Sequence, residues 1–296
     1  MSKDLPVTIN LIDASFGHLE TPDGFYSMAG HPNSIKKPTH VQYVRGYRDW
    51  EGITIFTDSL ITPENVNSVN SAIKIGWLIE RIGNIPQEFY DSVEGLDLIM
   101  TNDKSIIEKY PDKARFIPFG GGWIKKENQS TEKPKSRLVS MIYSSKKQEL
   151  GHMLRHDIAN NIPGLDLFGN GSPTPIEYKE IGLTDFMFTI VIENIRTNDY
   201  FTEKLIDPFL TGTIPIYWGC PNIGEYFNTD GMIILKNTPP LYDVEKIIKH
   251  LSVEKYKDMT DAMLDNFETA KNYEIPEEWY YKNIIQKEYP ELFEHE

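Results

Sequence analysis

The sequence predicts an α/β protein of two Rossmann-like domains, each a parallel sheet covered by helices. Three observations carry that prediction. Runs of β-branched and other apolar residues, such as Val7–Ile12 and Phe188–Ile192, suit strands buried on both faces. These runs alternate with short helical patterns along the chain, the order that builds βαβ units. Between the two halves lies KKENQSTEKPKSR (125–137), which has no large apolar residue, carries a proline and reads as an interdomain linker. At 296 residues the chain is long enough for two domains with ample cores.

The first domain is placed at 1–124. Val7–Ile12 is its first strand, followed by a segment, Asp13 to Lys37, rich in turn formers (Gly17, Pro22, Gly24, Gly30, Pro32). Connections this long inside a compact domain are usually functional or mobile, so this one is a candidate for contact with a substrate. Ile53–Phe56 and Ile73–Ile79 are the next strands, the second ending at Glu80, and 65–72 between them is mostly polar. Ile85-Pro86 opens a short helix to Val93, Leu96–Thr101 is a strand, Asp103 caps a helix Lys104–Lys109, and Ala114–Pro118 returns as a strand.

The second domain is placed at 138–275. Leu138–Tyr143 is a strand, Gln148–Asn160 a helix bringing His152, Arg155 and His156 to one face or its neighbour, and Leu165–Phe168 a strand. The stretch 186–227 then packs a buried strand, a polar elbow, a short helix, a second strand and a Gly-Pro turn into consecutive sequence. Val244, Ile247, Ile248 and Leu251 repeat at helical spacing, as do Tyr256, Met259, Met263, Phe267 and Ala270, predicting two closing helices. The aromatic, acidic tail 276–296 is expected to cross back onto the first half.

Composition bounds the function. Hydrophobic residues at 40% and charged residues at 25% describe a folded chain, not a disordered one. A formal net charge of −14 argues against broad binding to nucleic acid or an anionic membrane, while leaving room for a local basic pocket. The single cysteine, Cys220, excludes an internal disulfide and a Cys-rich zinc site. The first apolar run is broken by Asn10 and Asp13, so neither a signal peptide nor an anchor is read there, and a cytoplasmic protein is expected.

The chemistry concentrates where the strand ending at Ile192 meets the next helix. Glu193, Asn194, Arg196, Asn198, Asp199 and Tyr200 crowd that place, the crevice where open α/β sheets hold ligands. Thr202 is a suitable N-cap, which puts Glu203 and Lys204 in the first turn beside free N–H groups and the positive dipole end. Lys204 there suits an anion and Glu203 suits ribose hydroxyls, so together they describe a grip on a nucleoside diphosphate. The same two residues also suit an ordinary solvated helix start. Pro208 should keep that helix short, and Gly212 ends it. His152 and His156, four apart, find no third metal ligand at suitable spacing, and no two aspartates lie two residues apart.

This stretch resembles the donor-binding signature of the α-1,3/1,4-fucosyltransferases, glycosyltransferase family 10. The resemblance is carried by Glu193-Asn194, then Asp199-Tyr200-Phe201-Thr202-Glu203-Lys204-Leu205, then Pro215-Ile216-Tyr217-Trp218-Gly219 and Pro221. Upstream, Ser144-Ser145 through Arg155 and Leu167-Phe168-Gly169 are similar to the family's strand, arginine helix and glycine turn, so the likeness is strongest over 138–227. It implies an α/β fold of GT-B type, two Rossmann-like domains facing across a cleft. It implies an inverting transfer of fucose from a GDP-fucose donor to a hydroxyl of a glycan acceptor, with no metal and no other cofactor. By the same resemblance Arg155 and Lys204 would neutralise the diphosphate, Tyr200 and Glu203 would hold the nucleoside, and Glu193 and Asn194 would shape the donor pocket. The strand reads Val191-Ile192-Glu193-Asn194-Ile195 where the family commonly has Phe before Glu and Ser after Asn, a difference at the sugar pocket.

An inverting transfer needs a general base on the acceptor side. Glu80, ending KIGWLIE in the first domain, is the expected base; it equally suits a strand-end carboxylate paired with Arg81 or Lys74, and Glu20, Glu51 and Asp58 are other carboxylates there. Two further readings keep the fold: a different nucleotide sugar as donor, or a nucleotide-sugar-binding protein without catalysis. Neither nucleic acid nor an integral membrane segment is expected.

Overall fold

The computed structural model describes residues 6–13, 36–79, 85–236 and 241–293. Glu80, Arg81, Glu20 and most of the segment 13–37 lie outside the described residues. Among those described, the chain divides into two units: 6–13, 36–119 and 275–293 make the first, and 120–274 the second.

The first unit is built on β1 (Val7–Ile12), β2 (Val41–Arg45), β3 (Asp49–Thr57), β4 (Asn70–Leu78), β5 (Leu98–Thr101) and β6 (Ala114–Phe116). Their order is β2-β1-β3-β4-β5-β6, with every pair parallel. Periodicity does not predict β2, because VQYVR is an edge strand with Gln42 exposed and only two residues fully buried. The polar stretch after β3 hides a helix, Pro63–Ser68, whose N-cap Thr62 accepts from Asn65 N; Val66 is its one buried residue, too little for a periodic signal.

The tail belongs to this unit. Tyr280, Tyr281, Ile284 and Ile285 join Ile9, Leu11, Tyr43 and Trp77 in one core. Tyr43 and Tyr280 share a buried hydroxyl–hydroxyl bond of 2.9 Å, and the Tyr280 ring meets Trp77 edge-on at 5.5 Å. Arg115 and Glu288 add an ion pair at the rim.

The second unit carries β7 (Arg137–Ile142), β8 (Asp166–Phe168), β9 (Phe186–Ile192), β10 (Ile214–Trp218) and β11 (Ile233–Ile234), in the parallel order β11-β10-β9-β7-β8. Every residue of β9 and β10 is buried. Phe188, Ile190 and Ile192 pack in one core cluster, and Val191 in another with Phe201, Leu205 and Phe209, so both faces of the sheet are covered. Of the two closing helices expected, the first is Leu241–Ile248, and the second pattern divides into Val253–Asp258 and Thr260–Ala270, which meet at Met259.

The segment expected as a linker packs within the second unit. Ser130 N donates to Leu210 O, and the Lys135 ammonium donates to Thr184 O, Thr211 O and Thr213 Oγ1. Burial pushes Lys135 down to about 7. A segment without large apolar groups is held here by saturating polar partners around the C-terminus of a helix, a contact that composition does not reveal. The unit boundary falls instead at Phe119 and Gly120.

Both sheets reverse their strand order once. In the first, β2 and β3 flank β1; in the second, β8 and β9 flank β7. The crevices where such sheets hold ligands therefore lie at the carboxyl ends of β1 and β3, and of β7 and β9.

Candidate functional site

At the β7–β9 crevice of the second unit, the backbone comes first. The helix Leu150–Asn161, which follows β7, starts directly against the end of β9: Gly151 N donates to Asn194 O at 2.9 Å. A Cβ on Gly151 would stand 1.7 Å from Glu193 O, so only glycine permits this approach. Gly219, after β10, is confined by side chains, since its Cβ would lie 2.5 Å from Glu193 Cγ. The two glycines fix where Glu193 and Asn194 can be.

Glu193 is fully buried, and it faces the next helix rather than open space. Its Oε1 accepts from Thr202 N at 2.9 Å and its Oε2 from Thr202 Oγ1 at 2.8 Å. Burial pushes the carboxyl up, opposed by the Lys204 ammonium 4.0 Å away and the Thr202 bonds. Thr202 in turn caps the helix Glu203–Leu210 by accepting from Lys204 N. One buried carboxylate thus ties the end of β9 to the start of that helix. Pro208 limits the helix to eight residues.

The charged groups converge on this junction. Arg155, itself buried, donates from Nε to Gly151 O (3.1 Å) and from Nη2 to Asn194 Oδ1 (2.6 Å). Burial pulls its pKa down, and Glu193, Glu203 and Tyr200 offset part of that pull. Lys204 Nζ reaches Glu203 Oε1 at 3.1 Å and Thr202 Oγ1 at 3.2 Å. Burial opposes ionisation of Glu203, yet the Lys204 and Lys179 ammoniums outweigh it and hold the carboxyl at about 2. His152 registers the local field: burial, then Arg155, Lys146, Lys204 and His156, drive it down to about 4. Arg155 and Lys204 thus stand beside buried carboxylates at one junction, in a chain of net charge −14.

Of the residues expected from the sequence, Arg155, Glu193, Asn194, Glu203 and Lys204 come together here, and Tyr200 is buried two residues before the cap. Glu80 lies outside the described residues; Asp58, at the end of β3, has a left-handed φ of 39° and accepts from Ile79 N at 2.8 Å, just before that position. Glu51 is an exposed residue within β3.

Sequence reasoning missed Lys179, Asp207 and Trp123. Lys179 Nζ is 2.8 Å from Asp207 Oδ2 and 3.5 Å from Glu203 Oε1, and 3.9 Å above the Trp123 ring; Asp207 Oδ1 accepts from Trp123 N. One signal was present: Asp207 stands among Leu205, Ile206, Pro208, Phe209 and Leu210, and a carboxylate in such a helix needs a buried partner.

Among the described residues, no group of three or more His, Cys, Asp or Glu could hold a metal, and no helix is long and apolar enough to cross a membrane. A separate cavity of about 900 Å³ lies by β11, lined in part by Met232, Ile233, Ile247, His250 and Lys255, away from all of these side chains.

The α-(1,3)-fucosyltransferase FucT of Helicobacter pylori is 29% identical over 113 residues, 38% of this chain but only 23% of that protein's length. A crystal structure of an α1,3-fucosyltransferase with GDP superposes with a TM-score of 0.56 at 16% identity, covering 94% of each chain. One with GDP-fucose gives 0.55 at 15% identity, covering 90% of this chain and 83% of that one. This likeness shows the α/β fold of GT-B type. Residues 132–285 match the family model described as glycosyltransferase family 10 (fucosyltransferase), C-terminal part, which is more than half of the 296 residues, and the chain belongs to that family.

Proposed function

We propose that the protein is a glycosyltransferase that moves fucose from GDP-fucose to a hydroxyl of a glycan acceptor, inverting the anomeric carbon. The observation that carries this reading is the meeting of Arg155, Lys204 and Glu203 at the β7–β9 crevice, in the family's matched region. Arg155 and Lys204 meet the negative charge that grows on the departing GDP, a role for which no metal is needed. Glu203 accepts from the ribose hydroxyls, with Tyr200 beside the nucleoside. Asn194, oriented by Arg155, faces the sugar, while Glu193 holds the helix start in place through Thr202. Glu80 takes the acceptor proton as that oxygen attacks opposite the leaving group, so proximity supplies much of the rate.

Calorimetry with GDP, UDP, ADP and CMP, followed by hydrolysis of the matching nucleotide sugars, tests the donor. GDP should bind best. Lys204→Ala and Arg155→Ala should each weaken it by at least about tenfold, since each removes a charge-assisted contact to the diphosphate. Binding of UDP without GDP would sink the fucose proposal and leave the fold untouched. Binding of GDP without turnover on any acceptor would favour a nucleotide-sugar-binding protein.

A further inference from the structure

Glu203 and Asp207 stand one helical turn apart on the helix Glu203–Leu210, and both are buried. Like charges at this spacing repel. Lys179, from the short helical turn Lys179–Gly182, fills the gap between them. Its ammonium has three donors and three destinations: Asp207 at 2.8 Å, Glu203 at 3.5 Å and the face of Trp123 at 3.9 Å. Asp207 is itself tethered, through its other oxygen, to Trp123 N at 2.6 Å. Lys179 therefore has a fixed direction and no reach toward a ligand. Lys204 and Lys179 both take the same Glu203 oxygen, Oε1.

The local charge count gives this arrangement a purpose. Glu193, Glu203 and Asp207 are set against Arg155, Lys179 and Lys204. With Lys179 the cluster is balanced before any ligand arrives. Without it, two cations face three carboxylates, and an incoming diphosphate meets net negative charge. A buried ion pair adds little stability over apolar residues of the same volume, so the use of this one lies in what it holds.

We propose that Lys179 and Asp207 are positioning residues of the nucleotide site: the tethered Lys179 ammonium holds the Glu203 carboxylate for the ribose hydroxyls and leaves Lys204 to the diphosphate. This deepens the assignment of Glu203 made above and rests on it. The depressed pKa of Glu203 is consistent with the second cation.

The test is a ratio of affinities. Calorimetry of wild type should show GDP binding about tenfold tighter than 2′,3′-dideoxy-GDP, the worth of hydrogen bonds to a charged acceptor. Lys179→Met/Asp207→Leu removes both charges together and should fold, as checked by circular dichroism. In it, the preference for the hydroxyl-bearing nucleotide should fall to about one, whereas Lys179→Arg should retain it. Should the double variant not fold, Lys179→Gln, which keeps a donor but no charge, is read by the same ratio. A preference that survives in the uncharged variant overturns the positioning role while Glu203 keeps its own. A wild type that binds GDP without preferring the hydroxyls overturns the Glu203 assignment, and this proposal with it. No GDP binding at all would remove the reading of the site itself.

Discussion

The two sheets share a topology and differ in what they place at its reversal point. In the first unit, the ends of β1 and β3 carry Asp13 and Asp58: Asp13 is paired with Arg45 at 3.3 Å and pushed up by burial, and Asp58 is held in a left-handed conformation. In the second, the ends of β7 and β9 lead to Arg155, Lys204 and the carboxylates that hold them. The difference lies in the supply of cations: one arginine answers Asp13 in the first unit, whereas Arg155, Lys179 and Lys204 stand among Glu193, Glu203 and Asp207 in the second. Under the proposed function, that supply is what a departing diphosphate needs.

The sharpest way to break the comparison is Gly151→Ala. Its added methyl would collide with Glu193 O, so the helix start or the strand end must move. We expect a loss of about 3 kcal/mol in thermal unfolding and no measurable GDP affinity. Wild-type stability would show that the junction tolerates a shift and is not rigid. Glu80→Gln tests the base proposed in the first unit. Turnover should fall by roughly 10²-fold or more while GDP affinity stays as it was, and undiminished turnover would pass the base to another first-unit carboxylate, with Asp58→Asn next to be measured.

A smaller effect is expected from Thr202→Val, which removes the cap and one of the two Thr202 bonds to Glu193. The cost should be about 1 kcal/mol in denaturant unfolding, with weaker GDP binding because Lys204 loses its anchor. The smallest effect at neutral pH is that of His152→Gln. The folded His152 resists protonation down to about 4, whereas in the unfolded chain it takes a proton near 6.5. Stability from this group is therefore lost as pH falls from about 6.5 to about 4. Melting curves should show that loss, reduced in the variant. Glu203, held at about 2 against 4.5 in the unfolded chain, loses its own contribution as pH falls from about 4.5 to about 2, a window that follows that of His152.

Much of the second unit's candidate site was legible because its parts are consecutive. β9, Glu193, the Thr202 cap, Lys204, the short helix and β10 follow one another, and each obeys a local rule of burial, capping or helix termination. Arg155 lies 38 residues before Glu193 in sequence and was placed by resemblance rather than by periodicity. What stayed hidden depends on contacts between distant segments. Trp123 and Lys179 meet the helix Glu203–Leu210 from two other parts of the chain, and Gly151 looks like any helical glycine until the strand it touches is known. The misplaced linker has the same origin, since its polar composition says nothing about Thr184 and Thr211, the residues that hold Lys135.

The tail has a consequence for how the chain is made. Residues 120–274 enter and leave their unit at one spot, where Gly121 N donates to Tyr273 O at 2.8 Å, so the second unit is an insertion within the first. Tyr280, Ile284 and Ile285 are core residues of that first unit. During synthesis the inserted unit can therefore close while the earlier one still waits for part of its core. That is the opposite of the usual order, in which the domain nearer the N-terminus folds first. Until the tail emerges, all six strands of the first sheet have been made, but Trp77 and Tyr43 lack the Tyr280 ring that covers them.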